Sequence, residues 1–272
     1  MRINNNLMAM NTHRQLSINT TGASKSIEKL SSGSRINRAG DDAAGLSISE
    51  KMRGQIRGLD QASRNAQDGI SLIQTAEGGL DEMHSILQRM RELAVQAAND
   101  TNVAGDRTAV KTEMDELSLE VGRIANNTEF NTQKLLAGAF SGKKFHIGAN
   151  DAQVLDVKIA SMTNTLLGVA AGSVSVVSAA TAGKTVTQIN AAIIKVSTER
   201  SKLGAWQNRL EHTIKNLDNS SENLQAAESR VRDVDMAKEM MNFTKQNILT
   251  QASQAMLAQA NQAPQGVLQL LR

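Results

Sequence analysis

The sequence predicts a mainly α fold, an antiparallel coiled-coil rod of long helices that carries a small β-hairpin region. Three observations lead to this prediction. The chain of 272 residues contains one proline, although proline makes up about 5% of average proteins and disrupts helix interiors. Aromatic residues are 2% of the chain, so aliphatic side chains must fill the core that aromatic side chains usually dominate. Apolar residues also recur every seven positions, which keeps one stripe of a helix against a partner helix.

The first long helix is predicted from an uninterrupted heptad stripe in the first half of the chain. Its members are Met52, Leu59, Ala66, Ile73, Leu80, Leu87 and Ala94. Asp41 or Asp42 can cap its start, because a short acceptor side chain satisfies a free backbone N–H of the first turn. A run of Asn, Asp and Gly residues after Ala98 ends the pattern. We therefore predict a helix over about residues 43–99.

Two further stripes predict the second and third helices of the central region. The shorter stripe contains Val110, Met114, Leu117, Val121 and Ile124. It predicts a helix over about 106–127 with Asp106 as its cap. The longer stripe contains Ile189, Val196, Leu203, Leu210, Leu217, Leu224 and Val231. It predicts a helix over about 187–230 that begins after Thr185 or Thr187.

The segment between these helices lacks helical periodicity. Short runs of Phe, Val, Leu and Ile on both sides of Gly148 are typical of strands, and they predict a small β-region over about 130–160. The following residues, about 161–186, are mainly Ala, Ser, Thr, Val and Gly without a clear period. We predict an exposed loop there.

Both ends of the chain carry thinner apolar stripes, which two isolated helices could bury only marginally. We predict terminal helices over 1–42 and 231–272 that pair as a coiled coil on assembly with further copies of the chain, and a core domain over 43–230. The residues expected to contribute to that assembly are Ile3, Leu7, Met10, Ile27, Leu30, Val234, Met241, Ile248, Met256, Leu268 and Leu271.

A cluster of charges precedes and enters the first long helix. It contains Arg35, Arg38, Asp41, Asp42 and Arg53. One interpretation is an elbow that salt bridges hold together within the chain. The other is a charge contact between copies of the chain, and the residues alone leave both open.

Composition and motifs argue against several other classes of function. The net charge is +3 without a clustered basic face, which disfavours nucleic-acid binding, and zero cysteines exclude disulfides and thiolate chemistry. The four His residues have no metal-ligand spacing, and neither a phosphate-binding loop nor a Gly-x-Ser-x-Gly motif occurs. The N-terminus lacks the apolar stretch of a secretory signal, and the longest apolar segment is too short to cross a bilayer. We expect no enzyme activity, no metal or other cofactor, and neither a nucleic-acid nor a membrane partner.

Several long segments resemble bacterial flagellin. They are LSSGSRINRAGDDAAGLSISEKMRGQIRGL (30–59), NAQDGISLIQTAEGGLDEMHSILQRMRELAVQ (65–96), KLGAWQNRLEHTIKNL (202–217), AAESRVRDVDMAKEM (226–240) and QASQAMLAQANQAPQGVLQLLR (251–272). The resemblance covers about residues 1–140 and 187–272. Because only a short segment separates these halves, the chain resembles a short form without the large outer domains. Trp206 departs from the small or aliphatic residue usual in the family.

The resemblance implies a structural subunit that polymerises with itself into the extracellular flagellar filament used for motility. It implies export of the unfolded chain through the flagellar type III apparatus without a cleaved signal. The implied partners are an export chaperone at the C-terminal helix, the filament cap and the hook-junction proteins. A hook–filament junction protein of the same superfamily is the alternative.

The resemblance also implies one specific recognition site. The stretch 88–96 is similar to the part of flagellin that the animal Toll-like flagellin receptor contacts. Arg89, Leu93 and Glu113 match contact positions in the family. Packing between neighbouring subunits is the alternative role for the same residues.

Overall fold

A computed structural model describes residues 6–270, of which residues 263–270 are described by their backbone alone. The helices are α1 (Leu7–Ser32), α2 (Ala43–Ala97), α3 (Ala104–Asn127), α4 (Asn164–Leu167), α5 (Ala179–Arg232) and α6 (Met236–Leu270). The strands are β1 (Glu129–Phe130), β2 (Gln133–Lys134), β3 (Lys143–His146) and β4 (Val154–Val157). The chain divides into a terminal unit, which contains the residues up to Gly54 and from Asn223 onward, and a central unit, Gln55–Glu222.

In the central unit, α2 and α5 run antiparallel. The Ser63 hydroxyl donates to Asp218 at 3.1 Å, the Ser221 hydroxyl donates to Asp60 at 2.8 Å, and Arg200 pairs with Asp81 at 2.8 Å. Residue numbers thus fall along α5 as they rise along α2. Together with the hairpins described below, this arrangement confirms the predicted fold class of long antiparallel helices with a small β-region.

The predicted heptad stripes form the core of the central unit. The buried members of the three stripes are Ala66, Ile73, Leu80, Leu87, Ala94, Met114, Val121, Ile189, Val196, Leu203, Leu210 and Leu217. The observed bounds of α2 and α3 lie within two residues of the prediction. A heptad repeat brings the same helix face back every two turns, so one packed partner can cover successive members of the stripe.

The β-region consists of two small antiparallel hairpins. β1 pairs with β2 through a turn at Asn131 and Thr132, both of which have positive φ. β3 pairs with β4, with Phe145 opposite Leu155. Beyond β4, the Ile159 N–H donates to the Phe140 carbonyl at 3.1 Å. These short strands agree with the predicted β-region, and the first hairpin adds a pair that the sequence pattern did not indicate.

The predicted exposed loop over 161–186 is wrong. Val169, Val174 and Val176 are at most 2% exposed, and the Ser118 hydroxyl of α3 donates to the Val169 carbonyl at 2.6 Å. The prediction failed because single valines fill gaps in the core of the central unit without forming a periodic stripe.

Helix α5 begins at Ala179 rather than near Thr187, so part of the predicted loop is helical. The Ser178 hydroxyl oxygen accepts a bond from the Thr181 N–H at 3.3 Å and caps this start. The Thr, Gly and Val residues that alternate with alanines over 179–186 are weak helix formers, and they concealed the true beginning of the helix.

Two capping predictions have different outcomes. Asp42 caps α2, since its Oδ1 accepts a bond from the Gly45 N–H at 2.8 Å. Asp106 lies inside the first turn of α3, and its Oδ2 accepts a bond from the Val103 N–H at 3.2 Å. Asp106 therefore supports the helix start from within instead of capping it.

In the terminal unit, α1 and α6 pack against each other in antiparallel orientation. The Asn6 side chain donates to the Ala260 carbonyl at 2.7 Å, and the Asn19 side chain donates to the Ser253 hydroxyl at 3.1 Å. The predicted pairing of the two terminal helices is therefore observed, and complementary polar groups and small side chains allow their close contact. That the pair forms on assembly stays a prediction.

Candidate functional site

The side chains at which α1 meets α6 are mostly small or polar. We call this contact face the inner seam, and its half-buried or buried positions recur with heptad spacing. On α1 they are Ala9, Thr12, Leu16, Asn19, Ala23, Ser26 and Leu30. On α6 they are Glu239, Phe243, Gln246, Thr250, Ser253, Leu257 and Ala260. A seam with so few large aliphatic side chains buries little apolar area.

Most of the larger apolar side chains of both helices are exposed instead. We call this set the outer stripe, and its members are Leu7, Met8, Met10, Ile18, Ile27, Met236, Met240, Met241, Ile248, Leu249 and Met256. Met241 is 66% exposed and Ile248 is 60% exposed. Exposed apolar residues in such number along two paired helices are typical of an interaction surface.

The outer stripe includes a shallow apolar depression on α6. Its volume is about 490 Å³, and it is lined by Met240, Met241, Thr244, Lys245, Ile248 and Leu249. Methionine side chains adapt their shape to a partner because they are unbranched and flexible. The depression is therefore a candidate contact for an apolar side chain of another molecule.

The residues predicted for assembly lie mainly on this outer stripe. Leu7, Met10, Ile27, Met241, Ile248 and Met256 are exposed, whereas Leu30 and Val234 are half-buried. Ile3 and Leu271 lie outside the described residues, and the Leu268 side chain also lies outside them. The apolar heptad of α6 thus faces away from α1.

Sequence reasoning missed the inner seam. A signal was present, because Thr12, Asn19 and Ser26 are spaced by seven residues, as are Gln246, Ser253 and Ala260. Searching for heptads of apolar residues alone passes over such positions.

The loop between α1 and α2 brings four of the five predicted charged residues together. Arg38 pairs with Glu28 at 3.0 Å. Arg35 donates from its backbone N–H to the Arg232 carbonyl and from Nη2 to the Val231 carbonyl, each at 2.6 Å. Arg53 is exposed on α2 and forms no ion pair among the residues that the structure describes.

The aspartates of this loop accept backbone hydrogen bonds, and neither forms an ion pair among the described residues. Asp41 accepts bonds from the Arg38 N–H at 3.0 Å and the Asn37 N–H at 3.2 Å. These two bonds hold the pKa of Asp41 below its ordinary value, because they stabilise the charged form, and the bond from Arg38 has the larger effect. Asp42 caps α2. The loop is thus ordered mainly by its own backbone.

Arg89 and Glu113 form an exposed ion pair between α2 and α3. Arg89 donates to Glu113 Oε1 from Nη2 at 3.0 Å and from Nε at 3.2 Å, and it donates to Glu92 Oε2 at 3.2 Å. The hydrogen bond to Glu113 is the main reason that the pKa of Arg89 is raised. Leu93 is 2% exposed. Its side chain therefore belongs to the core, and its match to a receptor-contact position stays a prediction.

Within residues 6–270, no group of three or more His, Cys, Asp or Glu side chains could hold a metal ion. Over the same range, no helix is long and apolar enough to cross a membrane.

These features define a class of helical proteins built from two separated halves of the chain, with apolar surface uncovered on the paired end helices. Residues 3–141 match the N-terminal helical region of bacterial flagellin, and residues 186–271 match its C-terminal helical region. The chain belongs to the bacterial flagellin family.

Individual relatives agree with this assignment. A flagellin from Halalkalibacterium halodurans is 61% identical over 272 residues, with all of both chains covered. The crystal structure of Bacillus cereus flagellin is 34% identical and superposes with a TM-score of 0.50, covering 61% of this chain and 94% of that one.

The alternative of a hook–filament junction protein is not better supported. A Vibrio parahaemolyticus structure assigned as a flagellar hook-associated protein has a TM-score of 0.59 but 12% identity, covering 71% of this chain and 100% of that one. Identity at that level shows a shared fold alone. Full-length identity of 61% to a flagellin therefore decides between the two.

Proposed function

We propose that this chain is the structural subunit of a bacterial flagellar filament and that it polymerises through the outer stripe of α1 and α6. The exposed apolar side chains of these paired helices carry the proposal. Family membership supports the same function, because the matched halves of the chain contain both helices.

The energetics favour contact between copies. Fully covering one Leu, Ile or Met side chain stabilises a contact by about 1.5–3 kcal/mol. The outer stripe presents eleven such side chains on one chain, so even partial coverage by neighbours offsets the entropy lost on association. The inner seam cannot supply this energy, because it is small and polar.

The test is Ile248→Lys in the full-length chain. Because Ile248 is 60% exposed, we expect the helix content of the soluble chain to be unchanged. A charge placed in a covered apolar contact should prevent seeded polymerisation, measured by sedimentation and electron microscopy.

The matched control is Gln251→Lys, an exposed polar position three residues along the same helix. It introduces the same charge outside the outer stripe and should polymerise like the parent. Filament formation by Ile248→Lys at the parental rate contradicts the proposed surface.

The same surface supports a further partner before assembly. We propose that an export chaperone covers the α6 part of the outer stripe, including Met241 and Ile248, while the chain is delivered unfolded to the flagellar type III apparatus. The filament cap and the hook-junction proteins would then contact the ends of the growing polymer. These steps place the finished protein outside the cell, in a structural rather than a catalytic role.

Receptor recognition rests on the Arg89–Glu113 pair. Both side chains are exposed and offer charge-assisted contacts to an animal Toll-like flagellin receptor. Arg89→Glu should reduce a receptor reporter signal. Arg91→Glu, an exposed change two positions along α2, should reduce it less. Equal responses to the two variants exclude a specific role for Arg89.

A further inference from the structure

Methionine is distributed unequally between the two units of the chain. Methionine carries all of the sulfur in this protein, because no cysteine is present. The methionines of the central unit are all buried, and they are Met83, Met90, Met114 and Met162. Six methionines of the outer stripe are 49–66% exposed, and they are Met8, Met10, Met236, Met240, Met241 and Met256. The thioethers open to solvent thus coincide with the surface proposed for polymerisation.

An exposed thioether is open to oxidation by hydrogen peroxide, which converts methionine to its sulfoxide. The sulfur lone pair attacks one oxygen of the peroxide, and the O–O bond breaks. The departing hydroxide takes the proton of the transferred hydroxyl to give water. Sulfur is oxidised and the peroxide is reduced. Because the oxidant must reach the sulfur, the buried methionines of the central unit are protected.

This difference in access does not depend on how α1 and α6 are arranged before assembly. On the paired helices the six side chains already lie outside the inner seam, and separated helices would expose them further. The four buried methionines belong to the core cluster of the central unit. Selective oxidation of the terminal unit is therefore expected with the end helices paired or unpaired.

Oxidation changes what the outer stripe offers to a neighbouring molecule. Met240 and Met241 line the apolar depression together with Ile248 and Leu249. A thioether is apolar and adapts to its surroundings, whereas a sulfoxide is polar and carries an oxygen that accepts hydrogen bonds. A contact that buries apolar side chains offers few donors for this oxygen, so covering it is unfavourable.

We propose that the six exposed methionines of the outer stripe are sites of reversible sulfoxidation by peroxides, and that this modification blocks polymerisation. The inference rests on the proposed function, because it requires neighbouring subunits to cover the outer stripe. The same coverage protects the sulfurs once a subunit is assembled. Peroxide thus acts on the chain before assembly and spares the finished filament.

The first test maps the oxidised residues. The soluble full-length chain and preformed filaments are treated with graded hydrogen peroxide, and peptide mass spectrometry measures sulfoxide at each methionine. In the soluble chain, the six exposed methionines should be oxidised before the four buried ones. In filaments, the same six should react more slowly than in the soluble chain. Equal rates in either comparison overturn the proposal.

The second test measures the critical concentration for seeded polymerisation. Even if neighbours cover only part of the six side chains, their joint oxidation should raise this concentration by about tenfold or more. Methionine sulfoxide reductases A and B together should restore the parental value, because each reduces one sulfoxide epimer. Failure of this rescue places the damage outside the methionines and overturns the proposal.

The proposed function is tested separately. A chain that carries the six sulfoxides and polymerises at the parental concentration overturns the modification site alone. Ile248→Lys examines the polymerisation surface without any oxidant, so its outcome identifies a failure of the surface itself.

Leucine variants identify the methionines responsible, since leucine replaces the thioether with an apolar side chain of similar size. The test variant combines Met8→Leu, Met10→Leu, Met236→Leu, Met240→Leu, Met241→Leu and Met256→Leu. It should polymerise like the parent and remain competent after peroxide treatment. Met52→Leu, at a half-buried position outside the outer stripe, is the control and should stay sensitive. Peroxide sensitivity of the sixfold variant equal to that of the parent overturns the proposal. If the sixfold variant does not polymerise untreated, rescue of the oxidised parent by the reductases decides.

Discussion

The carboxylate of Glu199 accepts a hydrogen bond from the Ala160 backbone N–H at 2.8 Å, although Glu199 is only 2% exposed. The second carboxylate oxygen, Oε2, accepts a bond from Lys202 Nζ at 3.1 Å. A charged side chain in the middle of α5 thus holds the chain segment that leaves the β-region. Buried carboxylates are retained only when such partners compensate for the loss of water.

Glu199→Ala should lower the stability of the central unit. The change leaves the Ala160 N–H without its acceptor, which costs about 1–3 kcal/mol. Chemical denaturation followed by the fluorescence of Trp206, the only tryptophan, measures the loss. Glu211→Ala removes a carboxylate from the exposed face of α5 and serves as the control. Equal effects of the two changes would show that the buried hydrogen bond contributes nothing.

Leu93→Ala should destabilise the central unit strongly. Leu93 lies in the core cluster, and truncating a buried leucine costs about 2–5 kcal/mol. Val95→Ala, two positions along α2, should have little effect because Val95 is 55% exposed. The same denaturation experiment compares them. A stable Leu93→Ala variant that loses receptor signalling would identify Leu93 as a direct receptor contact despite its burial.

Gly33→Ala should loosen the end of α1. Gly33 has a φ of +69°, and its N–H donates to the Lys29 carbonyl at 2.9 Å. A Cβ atom in this left-handed conformation costs about 1–2 kcal/mol. Amide hydrogen exchange along α1 should accelerate accordingly.

Gly40→Ala is the matched change in the same loop. A Cβ atom there meets nothing within 4 Å, and Gly40 is not among the glycines with positive φ. It should leave exchange unchanged or slow it, since alanine reduces the freedom of the unfolded chain. Faster exchange in both variants would indicate that the loop tolerates no Cβ atom, whatever its φ.

Asp41→Asn should destabilise the loop before α2 at neutral pH and have less effect in acid. The folded-state pKa of Asp41 is lowered below its ordinary value of 3.8 by the Arg38 and Asn37 N–H groups. Its carboxylate therefore stabilises the fold fully above that ordinary value, and the contribution is lost as the pH falls through the lower folded-state pKa. Asparagine keeps an acceptor oxygen but not the charge.

Hydrogen exchange of residues 34–42, compared at neutral and strongly acidic pH, measures this difference. Asp68→Asn is the control, because Asp68 is exposed and accepts no backbone hydrogen bond among the described residues. If the difference in exchange rate between the parent and Asp41→Asn stays the same at strongly acidic pH, the proposed role of the carboxylate is contradicted.

Much of the fold could be predicted because helix formation and helix faces are local properties. The stripe through Leu80, Leu87 and Ala94 identified the buried face of α2 before any partner was known, and all three side chains are fully buried. The burial of the segment containing Val174 and Val176 could not be predicted from residue spacing. Its burial depends on gaps between distant helices, which no local pattern records.

The candidate surface was predicted in part for the same reason. The heptad of Met241 and Ile248 correctly grouped side chains on one face of α6, but it did not show whether α1 or solvent meets that face. Asn19 and Ser253 likewise show their role only as a pair, because a hydrogen bond needs both partners in place.

The sequence by itself determined where the long helices run, which residues share each face and which family the chain resembles. Those properties follow from residue spacing and backbone preference within a few turns. Only the tertiary structure decided that the end helices meet mainly through small and polar residues and leave most of their larger apolar side chains exposed. That choice depends on the fit and hydrogen bonding between two segments at opposite ends of the chain.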